Sequence, residues 1–309
     1  MKILWLVLAS VLLVVVLVIG SPQVPAATPA LGSIILLSWD GVQRDVVRQL
    51  LAEGVLPNLA ALGRIVEIDV THNTDTKSGH ARMLTGYDPE WTGVFSNSRY
   101  QPIPVGYTIF ERLENFFGKE NIATIMVAGK KDHLGADKEI LPFYNIRGIV
   151  DVFDIGGKDI EIKAVGYLRA YRGDRFFAFF HFPDPDTKGH SYGESSLQYR
   201  DAIIVSDKGL GNIIATLSEL GIRDRTLVYV TTDHGFDETD APFPWTPDTP
   251  GRKHKSASYV FLATNDLGVM RTGLQQDIAP TIYERFGLNP ATFSLPLSGL
   301  SLLGPRPVW

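Results

Sequence analysis

The chain has 309 residues, enough for one large α/β domain or two small ones. Its 29 basic and 34 acidic residues give a net charge of -5 with no long run of either sign. This balance gives no support for a nucleic-acid-binding surface, which needs a basic stripe to neutralise phosphates, and none is expected. The absence of cysteine excludes disulfides, thiolate zinc sites, cysteine nucleophiles and iron–sulfur ligation, so any metal must sit on His, Asp or Glu.

Met1-Lys2 precede the apolar run "ILWLVLASVLLVVVLVI" (3–19), and no acidic residue occurs before Asp40. One positive residue, a long apolar stretch and the exit Ser21-Pro22 and Val24-Pro25-Ala26 predict export. The run is longer than a usual signal core and just short of the ~20 residues that span a bilayer comfortably. Residues 1–20 therefore read as a signal peptide or an N-terminal membrane anchor, and 21–32 as a Pro/Ala linker. The folded domain is expected over 33–309, membrane-anchored or periplasmic/extracellular.

From Gly32 short apolar strands alternate with amphipathic helices. "SIILLSWDG" (33–41) reads as a buried parallel strand. "RDVVRQLLAEG" (44–54) reads as a helix stopped by glycine. Further strands are expected at 121–129, 175–182, 225–233 and 258–264, and helices at 108–118, 195–221 and 274–287. Around Gly156-Gly157 the stretch 130–175 reads as hairpin-like, an inserted lid or edge. Such alternation predicts an α/β fold, a mainly parallel sheet sandwiched between helices, with its ligand beyond the carboxyl ends of the strands.

Several of those strands finish on possible metal ligands. The first ends at Asp40; "FFAFFHFPDPDTKGH" ends on Asp186 and His190; "TLVYVTTDHG" ends on Asp233-His234; His254 precedes the last strand. Singly, each reads as a turn former, a helix cap or a loop residue. Together they form an oxygen/nitrogen set suited to zinc, with manganese as the alternative. Six ligands exceed the three a catalytic zinc takes and suit two divalent ions about 4 Å apart. The other histidines read as structural: His72 and His133 in polar loops, His181 in the core, and His80 beside Gly79. The hydroxyl-rich stretch "TDTKSGHARMLTG" (74–86) fits a capped helix start or a nucleophile loop equally well.

Asp40, Thr76, Asp186-x-x-x-His190, Asp233-His234 and His254, in that order, resemble the alkaline phosphatase superfamily and its nucleotide pyrophosphatase/phosphodiesterase-like branch. "DTKSGHARMLTG" has the hydroxyl nine residues before the Thr of a Thr-Gly pair, at Thr76 and Thr85. "YDPEWTGVFSN" is similar to the branch's Tyr-Pro-Glu motif, with Thr92 where the branch has His. It puts Asn97 where the branch has its phosphate-binding Asn. "LQQDIAPTIYERFGL" followed by "SGLSL" resembles the C-terminal helix and strand, so the likeness covers about 33 to 304.

The resemblance implies one ion on Asp40, Asp233 and His234 with Thr76, and a second on Asp186, His190 and His254. Thr76 would be the nucleophile of a phosphoric ester hydrolase working through a phospho-threonine, with Ser78 as the rival. Asn97 and backbone N–H groups after Thr76 would hold the phosphoryl oxygens of a small phosphate-ester substrate. Two departures bear on substrate charge. Lys77 stands where the branch has an aromatic, and reads as an anion-binding or a solvent-facing residue. Lys131-Asp132-His133 is similar to a Lys-Asp-Arg that contacts the terminal phosphate in some phosphomonoesterases. A phosphodiesterase or nucleotide pyrophosphatase is expected, with a phosphomonoesterase, a sulfatase or phosphonate hydrolase, and a non-catalytic envelope binding protein as alternatives. A sulfatase needs a Cys/Ser-x-Pro-x-Arg motif, which is absent.

Overall fold

The computed structural model describes residues 32–236 and 255–304. The N-terminal apolar segment with its linker, His254 and the polar loop 237–253 lie outside the described residues. Among the described residues no helix is long and apolar enough to cross a membrane.

In chain order the elements are β1 (Ser33–Trp39), α1 (Arg44–Ala52), α2 (Pro57–Ala60), β2 (Arg64–Asp69), α3 (Thr76–Thr85), α4 (Pro89–Thr92) and α5 (Ile109–Phe117). Next come β3 (Ala123–Ala128), α6 (Lys131–Leu134), β4 (Val152–Ile155), α7 (Ile160–Ala170), β5 (Phe176–Phe182), α8 (Asp184–Tyr192) and α9 (Leu197–Glu219). The last are β6 (Thr226–Thr231), α10 (Lys255–Ser258), β7 (Tyr259–Thr264), β8 (Gly273–Leu274) and α11 (Ile278–Arg285).

The strands form one sheet in the order β4-β3-β5-β1-β6-β7-β2-β8. The half from β4 to β6 is parallel, while β7 runs antiparallel to both β6 and β2. β1 is buried at every position because it lies mid-sheet with a core on each face. Ile34 and Leu36 enter the core that holds Ala81 and Met83 of α3, Phe110 of α5 and Ile282 of α11. Ile35, Leu37 and Trp39 enter the other, with Val47 of α1, Leu168 of α7 and Leu210 of α9. β5 divides the same way, Phe177 and Phe179 to one side and Phe176, Phe180 and Phe182 to the other. Burial on both faces is why these strands read as unbroken apolar runs.

The expected sandwich of a mainly parallel sheet between helices is therefore present, with corrections at its margins. The stretch around Gly156-Gly157 is no hairpin: β4 pairs in parallel with β3 as the sheet edge, and the two glycines (φ 95° and 91°) turn the chain into α7. The expected helix 274–287 begins as a regular α-helix at Ile278, because Pro280 is tolerated in a first turn, where its missing N–H has no intrahelical partner. The carboxyl ends of β1, β3, β5 and β6 share one edge, and the antiparallel β7 begins at that edge.

Candidate metal and nucleophile centre

Four strand ends feed this edge. Asp40 follows β1, Lys130 follows β3, Asp186 lies in the first turn of α8 after β5, and Asp233-His234 follow β6. Asp40 and Asp233 are fully buried and Asp186 nearly so. One ligand atom from each of Asp40, Asp186 and His234 lies within 4.8 Å of the other two. His234 Nε2 is 3.4 Å from Asp233 Oδ2, 3.7 Å from Asp40 Oδ1 and 3.9 Å from Asp186 Oδ1. His190 Nε2 is 3.3 Å from Asp186 Oδ1, with its side chain reaching solvent.

Each carboxylate has one oxygen tied and the other open. Asp40 Oδ2 meets His181 Nε2 at 2.7 Å and Lys130 Nζ at 2.9 Å. Asp186 Oδ2 meets the same ammonium at 2.5 Å. Asp233 Oδ1 accepts from Gly41 N–H at 3.1 Å. The opposite oxygens, Asp40 Oδ1, Asp186 Oδ1 and Asp233 Oδ2, are buried and make no aligned hydrogen bond. Buried carboxylate oxygens left open beside an imidazole nitrogen fit a divalent cation, because without one they would bear the full cost of desolvation.

The imidazoles are oriented by what they touch. His234 Nδ1 lies 2.8 Å from Gly235 O, a pure acceptor, so Nδ1 carries the proton and Nε2 faces the carboxylates. Burial lowers the proton affinity of His234, but Asp233, Asp186 and Asp40 outweigh it and raise its pKa to about 9. His181 Nδ1 accepts from Gly129 N–H, so its Nε2–H donates to Asp40. His80 Nδ1 donates to Thr76 O (2.7 Å) and its Nε2 lies 2.9 Å from Ser38 Oγ, pinning α3 to β1. For Asp186, burial opposes ionisation, yet Lys130 and the neighbouring histidines hold its pKa well below the usual range.

The hydroxyl-rich stretch opens α3, and its cap is Asp75 rather than Thr76. Asp75 Oδ1 accepts from Ser78 N–H and Oδ2 from Asn97 N–H at 2.8 Å. Thr76, relieved of capping, is the first helical residue, and its Oγ1 lies 3.4 Å from Lys130 Nζ. Ser78 Oγ instead donates to Asn73 O. α3 can come this close only because residue 79 is glycine: a Cβ there would stand 2.4 Å from Asp233 O.

Lys77 is buried rather than solvent-facing. Its N–H donates to Asn97 Oδ1 at 2.9 Å, and its ammonium donates to Asn97 O at 3.0 Å and lies over the Tyr100 ring. Burial lowers its pKa. Lys77 is thus a strut under the Asn97 loop. Because Asn97 Oδ1 and the Lys77 N–H satisfy one another, the asparagine keeps its Nδ2 group for a ligand.

Of the adjacent lysines, the one aimed into the centre is Lys130. Lys131 is well exposed and pairs with Asp137 at 3.1 Å. Burial alone would lower the Lys130 pKa, but Asp186, Asp40 and Asp233 raise it far above the ordinary lysine value. His133, on α6 rather than in a loop, is pushed down to about 4 by burial and by Lys130 and Lys77. Neither Lys130 nor the outer contact of His181 is foreseen from the sequence.

The type I phosphodiesterase/nucleotide pyrophosphatase family matches residues 34–132 and 158–265, more than half of the chain. A mouse steryl-sulfatase is 36% identical over 92 residues, covering 26% of this chain and 14% of that protein. The mouse bis(5'-adenosyl)-triphosphatase enpp4 is 24% identical over 213 residues, covering 65% of this chain and 46% of that protein. The human ectonucleotide pyrophosphatase/phosphodiesterase family member 1 is 24% identical over 241 residues, covering 71% and 25%. The chain thus spans less than half the length of the curated relatives it matches. Among solved structures, the lipoteichoic acid synthase LtaP of Listeria monocytogenes superposes with a TM-score of 0.63 at 17% identity, covering 89% of this chain and 76% of that one. An inactive murine ectonucleotide pyrophosphatase/phosphodiesterase 5 in complex with AMP does so with a TM-score of 0.60 at 14% identity, covering 86% and 97%. These likenesses establish the shared fold, which a TAB5 alkaline phosphatase also has (TM-score 0.56, 15% identity, 84% of this chain and 99% of that one). The chain belongs to the type I phosphodiesterase/nucleotide pyrophosphatase family, within the alkaline phosphatase superfamily.

Proposed function

We propose that the chain is an exported two-metal phosphoric ester hydrolase of the phosphodiesterase/nucleotide pyrophosphatase kind, with Thr76 as nucleophile. The observation that carries this reading is the set of three buried carboxylates, each with one oxygen tied and one open, around His234 Nε2 and beside α3. Divalent ions, zinc first and manganese second, held by Asp40, Asp233 and His234 and by Asp186, His190 and His254, would supply Lewis acidity toward phosphoryl oxygens and a nearby hydroxyl.

Thr76 Oγ1 gives up its proton to solvent and bonds to phosphorus as the bond to the leaving ester oxygen breaks, and that oxygen takes a proton from solvent. The phosphoryl-threonine so formed keeps the second ester group of a diester, and water then attacks its phosphorus, breaks the Thr76 Oγ1–P bond and restores the hydroxyl. Asn97 Nδ2 donates to the non-bridging oxygens as charge builds on them. Lys77 acts on substrate through Asn97, and Lys131, exposed and paired with Asp137, is a substrate contact at the outer rim. The apolar segment at 3–19 supports export, with anchoring to a membrane where it is retained.

A phosphomonoesterase is the second reading, favoured by the fixed charge of Lys130 beside Thr76, since a monoester carries one more negative charge than a diester. Metal analysis with hydrolysis of bis-nitrophenyl and mono-nitrophenyl phosphate tests both. The first reading predicts about two divalent ions per chain and faster turnover of the diester. Faster turnover of the monoester would favour the second reading. A chain without metal that hydrolyses neither would contradict both.

A further inference from the structure

Lys130 makes three contacts that no surface lysine would make. Its Nζ lies 2.5 Å from Asp186 Oδ2, 2.9 Å from Asp40 Oδ2 and 3.4 Å from Thr76 Oγ1. These partners come from three separate parts of the chain, the ends of β5 and β1 and the start of α3. The lysine side chain is 17% exposed, and the carboxylates it joins are 5% and 0% exposed. Lys131, by contrast, pairs with Asp137 at the surface, where water and salt screen the pair.

Three carboxylates meet at this centre, and their mutual repulsion in a buried setting is severe unless a cation is present. Lys130 supplies one from the protein itself. It also decides which oxygens remain open: by holding one oxygen each of Asp40 and Asp186, it leaves Asp40 Oδ1 and Asp186 Oδ1 near His234 Nε2. A lysine and a divalent ion thereby draw on opposite edges of the same two carboxylates.

We propose that Lys130 is a resident counter-ion of the metal centre, a positioning residue that braces Asp40 and Asp186 when ions are absent and opposes ion binding when they enter. This rests on the metal reading of the site above. It follows that the ion-free chain keeps its centre assembled, and that metal affinity is set below what the same ligands would reach without the lysine. A unit positive charge a few ångströms from a divalent ion repels it even when well screened.

The experiment uses the full chain with Lys130→Met and Lys130→Arg, stripped of metal, its melting followed with and without zinc and its zinc affinity measured by competition with a chromogenic chelator. Lys130→Met should melt lower than wild type without metal. It should also bind zinc at least about tenfold more tightly. Lys130→Arg, which keeps the charge, should stay near wild type in both. Recovery of folded Lys130→Met only with zinc present would support the same conclusion. Zinc binding unchanged or weaker in Lys130→Met, or Lys130→Arg behaving like Lys130→Met, would overturn the proposal. A wild-type chain that binds no zinc would overturn the metal reading itself, and the metal-free melting difference would then test the bracing alone. None of these measurements depends on turnover.

Discussion

Asp75 and Asn97 are joined by a 2.8 Å hydrogen bond from Asn97 N–H to Asp75 Oδ2, while the other oxygen of Asp75 caps α3 at Ser78. One carboxylate therefore fixes the helix that presents Thr76 and the loop that presents Asn97. Replacing Asp75 with Ala should cost about 2 kcal/mol, the loss of a cap and of one partly buried hydrogen bond. Asp75→Asn keeps a single acceptor oxygen, enough for the cap but not for both bonds. It should regain most of the thermal stability while KM stays raised. Equal recovery of both would place Asn97 outside substrate binding.

Gly79 sets the distance between α3 and the end of β6. A Cβ there would meet Asp233 O at 2.4 Å, so Gly79→Ala should destabilise by roughly 1–3 kcal/mol and loosen metal binding. Gly166, inside α7 with nothing within 4 Å of an added Cβ, is the contrast. Gly166→Ala should be neutral or stabilise by about 0.5–1 kcal/mol. Denaturant melts of the two variants read the difference.

His133 gives stability a defined pH dependence. Burial, then Lys130 and Lys77, hold its folded pKa at about 4 against partial opposition from Asp40 and Asp186. The unfolded imidazole titrates near its ordinary value of 6.5. Between these values the unfolded chain binds more protons, so this contribution is complete above 6.5 and is lost as pH falls toward 4. His133→Gln should flatten the stability curve across that window, measured by urea melts at stepped pH.

His234 links ion uptake to proton release. Its raised pKa of about 9 means that the metal-free centre holds a proton at neutral pH, which an ion must displace. Titrating zinc at pH 7 in buffers of different ionisation enthalpy should show about one proton released per chain beyond that seen with His234→Ala. Heats independent of buffer would contradict the assignment.

The core of the sheet was legible because β1, β3, β5 and β6 are buried on both faces and read as continuous apolar runs. The same rule placed Asp40, Asp186, Asp233 and His234 at one edge. It picks out ligand-type residues alone, so Lys130 escapes it, and in the pair Lys130-Lys131 nothing local distinguishes the inward side chain from the outward one. Lys77 was unreadable for a related reason: whether it faces solvent or braces Asn97 depends on the return of a loop twenty residues later. Gly156-Gly157 misled because positive-φ glycines serve hairpins and strand-to-helix turns alike.

Everything proposed for the reaction turns on Thr76 carrying the phosphoryl group. Acid quenching of the turning-over enzyme, followed by peptide mass spectrometry, reads this without intermediate assumptions. A phosphoryl adduct, with its remaining ester group when the substrate is a diester, is expected on Thr76 in the wild type and in Ser78→Ala, whose missing hydroxyl donates to Asn73 O. None is expected in Thr76→Ala, which should also lose turnover. The phosphoryl adduct on Ser78, or turnover that survives in Thr76→Ala and fails in Ser78→Ala, would contradict it.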